Sequence, residues 1–249
     1  MTVIRTMERH HEALLLWRRQ DARNLRVVHL DFHCDMRGML VNRAEGRAHR
    51  IRDRYPELDQ GNFLAHAVEE GRVDAIRWVH DVPGGRADDI GTVRFESDLS
   101  AIPHRIALAL RDDPGHPLDY EVVTSAEWTG LRDGELLDID WDYFASLEYD
   151  PDTIPGRIER FWESVGGQTP REITICYSPE YSHDTRAGFA AFVEQLADRY
   201  DAEVDDLPKP TSDKRKTGSV RSAVPSGAWS VARTAYRRTL RTLKHLGLS

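Results

Sequence analysis

Lysine is missing from residues 1–207; all four lysines of the 249-residue chain lie at position 209 or beyond. Past Pro208 the basic residues are Lys209, Lys214, Arg215, Lys216, Arg221, Arg233, Arg237, Arg238, Arg241 and Lys244, against the single acid Asp213. That segment therefore carries +9, and since the whole chain carries -8, residues 1–207 carry -17. So sharp a reversal marks an acidic body followed by a basic extension. Other absences narrow the class. Two cysteines, Cys34 and Cys176, make no disulfide framework, and each reads as a small packing residue at a strand exit. No apolar run reaches the roughly 18 residues of a membrane span. The opening MTVIRTMERHHEALLLW has no signal-peptide core ending in a small-residue cleavage site. These two absences set the expectation of a soluble, cytoplasmic protein. There is no internal repeat.

What is present supports one sizeable domain. A hydrophobic fraction of 40% permits a real core. Apolar runs predict strands at residues 2–7, Leu25–Asp31, Ala75–His80, Thr92–Phe95, Arg105–Leu110, Glu121–Thr124, Leu136–Ile139 and Glu172–Tyr177. Helical spacing predicts helices over Glu12–Arg23, residues 56–71 (closed by Gly71), Ile158–Val165 (closed by Gly166-Gly167) and Thr185–Tyr200. The last has Phe189, Phe192, Val193 and Leu196 on one face. Strands alternating with helices argue for an α/β domain over residues 1–206, with a mostly parallel sheet covered on both faces. Residues 207–228 have linker composition, and residues 229–246 read as a basic amphipathic helix, with Ala232, Tyr236, Leu240 and Leu243 at helical spacing.

Polar groups collect where such a sheet binds ligands, at the carboxyl ends of its strands. Asp31, His33 and Asp35 follow the apolar run of residues 25–28, and Asp138, Asp140 and Asp142 follow Leu136-Leu137. His10-His11 closes the opening segment. Any one of these carboxylates alone reads as a turn residue or helix cap. Two such runs, each after a buried strand, are costly to bury without a cation. Oxygen donors mixed with imidazole suit Mn²⁺ or a similar divalent ion better than thiolate zinc. Their number suits two ions about 3.5–4 Å apart.

"DFHCD" and "DIDWD", in this order, resemble the paired metal motifs of the arginase/ureohydrolase superfamily. "HHEAL", "LDIDWDYF" and "SPEY" are similar to segments of a divergent arginase-like family that includes peptide arginases. The resemblance covers roughly residues 8–200. It implies a three-layer arginase-like fold and two Mn²⁺ ions held by His10, Asp31, His33, Asp35, Asp138 and Asp140. His11 stands as the alternative to His10. Asp142 is extra to the usual D-x-D: it is a catalytic candidate, and a ligand-supporting or substrate role and direct ligation are equally open. Glu180, in "SPEY", is matched to substrate binding through a bidentate pair with a guanidinium, the alternative being an acid in the first turn of the next helix. The usual Gly-Gly-Asp before the first histidine is replaced by Glu8-Arg9. No classical histidine-bearing substrate loop appears. His80, at another strand exit, is a candidate proton shuttle or a satisfied structural histidine.

The implied reaction is cleavage of a guanidino group, which for an arginine side chain gives urea and ornithine. Two divalent ions lower the pKa of a bridging water, supplying hydroxide at neutral pH. The acidic body suits a cationic substrate. Free arginine, agmatine and arginine within a precursor peptide all remain open, as do metal identity and oligomeric state. Two other readings compete: a non-catalytic metal-binding module with a basic docking tail, and a single-zinc deacetylase-type amide hydrolase. The tail has three uses open to it: folding back on the body, binding an anionic surface such as a membrane or nucleic acid, and recruiting an acidic peptide leader. No nucleic-acid substrate is expected.

Overall fold

The structure is a computed structural model describing residues 2–43, 45–50, 57–81, 93–95 (backbone only), 114–183 and 186–206. Two units divide the chain, Met1–Leu207 and Pro208–Ser249. All described residues fall in the first, so the linker and the basic helix expected from the sequence lie outside them, as does the strand expected at 105–110.

In chain order the strands are β1 (Val3–Met7), β2 (Leu25–Leu30), β3 (Met39–Asn42), β4 (Arg47–Arg50), β5 (Val73–His80) and β6 (Val93–Phe95). They continue with β7 (His116–Pro117), β8 (Asp119–Thr124), β9 (Glu135–Asp140), β10 (Ile173–Cys176) and β11 (Glu203–Asp206). The helices are α1 (Glu12–Arg19), α2 (Phe63–Glu69), α3 (Asp142–Ala145), α4 (Ile154–Ser164) and α5 (Arg186–Tyr200). Seven strands form one wholly parallel sheet in the order β11-β1-β10-β9-β2-β5-β8. A smaller mixed sheet has the order β6-β3-β4-β7, and no strand pairing joins it to the first among the described residues.

Side-chain alternation divides the main sheet into two faces. Leu25, Val27 and Leu136 pack with Ala13, Leu14 and Trp17 of α1 and with Phe63, Leu64 and Ala67 of α2. Val28, Leu30, Leu137, Ile139, Ile173 and Ile175 pack with Phe144 of α3, Phe161 of α4 and Phe192, Val193 and Leu196 of α5. On β2, β5 and β9 the second face carries the buried Arg77–Glu135 ion pair and is apolar at Val28, Leu30, Val79, Leu137 and Ile139. On β2 and β9 the first is apolar only at the amino ends, and this change along the two strands positions the site.

Several expectations shift. Helix α1 ends at Arg19, not Arg23, because Asp21 and Asn24 adopt left-handed backbone (φ 47° and 53°). Strand β11 was not expected, since Glu203–Asp206 is exposed and acidic. It is held by parallel pairing with β1 and by side-chain bonds from Arg5 to Asp205 and Thr6 to Asp206. The β3–β4 hairpin was also missed, because its apolar run is short and β4 is rich in basic residues. The glycine closures hold: Gly71 and Gly166 take left-handed φ of 63° and 75° just beyond α2 and α4. Gly130, at φ 96°, approaches the end of α4 so closely that a Cβ would stand 2.7 Å from the carbonyl oxygens of Ser164 and Val165. Gly130→Ala should therefore lower unfolding stability by more than about 1 kcal/mol; an unchanged urea midpoint would contradict this packing.

Candidate metal centre

On the first face of the sheet, apolar side chains give way to polar ones toward the carboxyl ends. Along β2 the sequence on that face is Leu25, Val27, His29 and then Asp31; along β9 it is Leu136, Asp138 and Asp140. Register aligns them: His29 lies opposite Asp138, and Thr174 of β10 lies on its other side. Asp31 sits one residue past β2, its N–H donating to the Val79 carbonyl (3.3 Å) and its own carbonyl accepting from the Trp78 indole (3.0 Å). His10 arrives from the β1–α1 turn, its ring packed on Phe63 (4.6 Å between centroids) and near His29 (5.3 Å).

Asp35 has a left-handed φ of 50°, and its carbonyl accepts from Ala65 of α2 (3.3 Å), which turns the β2–β3 loop back over the site. Asp142 opens α3, donating its N–H to Asp140 Oδ1 (3.1 Å) and accepting the Phe32 N–H on Oδ1 (3.2 Å). Ser178, left-handed at φ 44°, donates its hydroxyl to Asp140 Oδ2 (2.6 Å). Two non-glycine residues in this strained region meet at one site.

Asp138 is fully engaged. Its Oδ1 accepts from the Thr174 hydroxyl, and its Oδ2 meets both His10 Nε2 (3.1 Å) and His29 Nδ1 (2.8 Å). Each imidazole then turns its other nitrogen toward the remaining carboxylates. His10 Nδ1 lies 3.1 Å from Asp31 Oδ2, 3.2 Å from Asp35 Oδ2 and 3.2 Å from Asp140 Oδ2. His29 Nε2 lies 3.3 Å from Asp31 Oδ2. On the outer side, His33 Nδ1 lies 2.9 Å from Asp142 Oδ2 and 3.6 Å from Asp31 Oδ1.

Four of these buried atoms, His10 Nδ1, His29 Nε2, Asp31 Oδ2 and Asp142 Oδ2, make no hydrogen bond. Orphaned donor atoms facing one another at such distances fit a divalent cation between them. The groups close enough to share one ion include His10, Asp31 and Asp140, and separately Asp31, His33 and Asp142.

Electrostatics point the same way. Burial, then Asp142, Asp35 and Asp140, push the Asp31 pKa well up; burial and Asp142 raise that of Asp140. Burial opposes ionisation of Asp138 and Asp142, but His10 and His29 on the one and His33 on the other hold both below the usual carboxylate range. Burial also opposes charge on the imidazoles. Asp138 with Asp140 and Asp31 nevertheless raises His10, and Asp142 with Asp31 raises His33 to about 12. Without added cations the cluster balances itself by taking up protons.

A cavity of about 620 Å³ opens onto this cluster, lined in part by His33, Asp35, Asp140, Glu180, Tyr181, His11 and Arg9. The structure thus brings together His10, Asp31, His33, Asp35, Asp138, Asp140 and Asp142, with Glu180 on the cavity wall. His10 occupies the cluster, while His11 lines the cavity, its pKa lowered by burial and by Arg9. His80 stands apart. It is buried at the end of β5 with its ring against Trp78 (4.7 Å) and does not line the cavity. His29 was missed from the sequence. Its signal is its position, two residues before Asp31 and therefore on the same face.

No family model matches the sequence, and no curated protein matches it. Among solved structures the chain is similar to proclavaminate amidino hydrolase from Streptomyces clavuligerus, at 15% identity and a TM-score of 0.40, covering 80% of this chain and 64% of that one. It is also similar to a hypothetical agmatinase from Burkholderia thailandensis, at 15% identity and a TM-score of 0.41, covering 80% of this chain and 59% of that one. Both are arginase/ureohydrolase superfamily members. The chain spans about three-fifths of the length of these structures. The chemistry has to come from the side chains described above.

The pKa values of Asp31, Asp140, His10 and His33 are all raised, so cation binding at these groups competes with protons. Affinity for Mn²⁺ should rise with pH, because all four shifts are upward, with proton release seen as buffer-dependent heat in calorimetry. Affinity independent of pH would contradict this charge balance.

Proposed function

We propose that this protein is a dinuclear-metal hydrolase that cleaves a guanidino group, releasing urea and the corresponding amine. The observation that carries the reading is the orientation of Asp31. Its Oδ2 faces His10 and its Oδ1 faces His33, one oxygen toward each of two donor groups. In this reading His10, Asp31, Asp35 and Asp140 hold an inner ion, and Asp31, His33 and Asp142 hold an outer one. Oxygen-rich donors with a few imidazoles favour Mn²⁺ or a close relative. Such a pair supplies Lewis acidity and a water of lowered pKa when bound.

One assignment left open by the motif resemblance is filled, and one differs from it. Asp142 takes a ligand place, because its Oδ2 is unbonded and faces His33. Asp138 becomes an orienting carboxylate, because both its oxygens are already occupied by Thr174, His10 and His29. Ser178 fixes Asp140 from the opposite side.

The cavity wall supplies the rest. Glu180, exposed and on that wall, is placed to accept two N–H groups of a guanidinium, which orients the guanidino carbon toward the cluster. Tyr181 packs edge-on against His33 (5.6 Å) and shields the outer position. Only a side chain has to enter, so arginine within a peptide fits the same chemistry as free arginine and would leave ornithine. A single-zinc amide hydrolase would use the outer trio alone and would leave His10, Asp35 and Asp140 converging on nothing.

Asp31→Ala should abolish urea release and lower bound metal, whereas Asp138→Asn should weaken metal affinity by about 10–100-fold without eliminating it. Full occupancy and turnover in Asp31→Ala would refute the shared-ligand role. Glu180→Gln should leave metal content intact and raise KM for guanidino substrates by about tenfold or more, since one charge-assisted hydrogen-bond pair is lost. An unaltered KM would remove Glu180 from substrate binding.

A further inference from the structure

His29 lies outside the ligand set above, and none of the motifs points to it. It is fully buried, with side-chain exposure of 0%. Its Nδ1 meets Asp138 Oδ2 at 2.8 Å, and its Nε2 makes no hydrogen bond. That nitrogen nevertheless faces Asp31 Oδ2 at 3.3 Å and Asp35 Oδ2 at 4.0 Å. If the ring proton sits on Nδ1, shared with Asp138, then Nε2 presents a lone pair to two carboxylate oxygens. A proton or a cation between them relieves the repulsion, and a cation is the one that all three atoms can share. His10 repeats the arrangement, with one nitrogen on the same Asp138 oxygen and the other facing Asp31 and Asp35. Bonds of about 2.1 Å in an octahedral shell set neighbouring ligand atoms about 3 Å apart and opposite ones about 4.2 Å apart. The His29 separations fall in that range.

We propose that His29 is a ligand of the inner ion, oriented through Nδ1 by Asp138. Resting on the dinuclear reading above, this makes the two positions unequal. The inner one has five protein donors, His10, His29, Asp31, Asp35 and Asp140; the outer one has three, and its His33 side chain is 33% exposed on the cavity. A position closed by protein ligands retains its ion, while one with open places exchanges it and admits substrate. The first ion to bind therefore fills the inner position.

The test is X-ray absorption on the full chain loaded with one equivalent of Co²⁺, which counts imidazoles per ion. Two imidazoles are expected, falling to one in His29→Asn, whose amide retains a donor for Asp138 but has no group at the Nε2 position. A single imidazole in the native protein, or the same count in His29→Asn, would overturn the proposal. The native count decides the matter even where the variant fails to fold. Failure to bind Co²⁺ at all would overturn both this proposal and the dinuclear reading. Two ions bound with one imidazole each would overturn this proposal alone. A metal titration gives an independent readout: His33→Ala should lose the weaker ion and keep the tighter one, and loss of both together would count against the inequality.

Discussion

Five aspartates and three histidines share one small volume at the carboxyl edge of a parallel sheet, and nearly all of them are shut away from water. Carboxylates packed so closely cannot all be ionised together without positive charge among them. The metal-free cluster answers with protons: Asp31 and Asp140 are pushed up by burial and their acidic neighbours, and His10 and His33 are raised by the aspartates they face. Divalent cations would answer the same demand with more charge per site and with directional bonds. Everything else about the site follows from holding these groups at their separations.

The sheet does most of that holding. Parallel pairing fixes His29, Asp138 and Thr174 in one lateral row, so the orienting carboxylate and two of its partners come from three adjacent strands. The opposite face packs its apolar side chains against Phe144, Phe161 and Phe192, which anchors the strands from behind. Loops close the cluster from above at a cost in backbone strain, at Asp35 and at Ser178. The Ser178 turn also bears Glu180, so the residue that fixes Asp140 and the residue on the cavity wall belong to one short segment.

Much of this is legible in the sequence, and the exceptions have physical reasons. Strands β1, β2, β5 and β10 stand out because buried parallel strands are continuous apolar runs, and the D-x-H-x-D and D-x-D-x-D series stand out because alternation puts them on one face. Depth is not legible in the same way. Three aspartates at period two look equivalent, yet each step of two residues moves about 6.7 Å along a strand, and so Asp138 lies in the row beneath while Asp142 reaches the outer donor group. His29 escapes notice for the same reason, since a histidine inside an apolar run looks like core. His80 shows that a strand exit alone does not mark the cluster, which is built on other strands. The exposed acidic strand β11 carries no apolar signal, because its pairing depends on Arg5 and Thr6.

The central claim is that one aspartate, Asp31, bridges two bound cations. Diffraction from crystals grown with Mn²⁺, recorded at the manganese absorption edge, tests it most directly. The account predicts two anomalous peaks about 3.5–4 Å apart, with one oxygen of Asp31 on each, His10 at the inner peak and His33 at the outer. A single peak, or two peaks that Asp31 does not join, would contradict it.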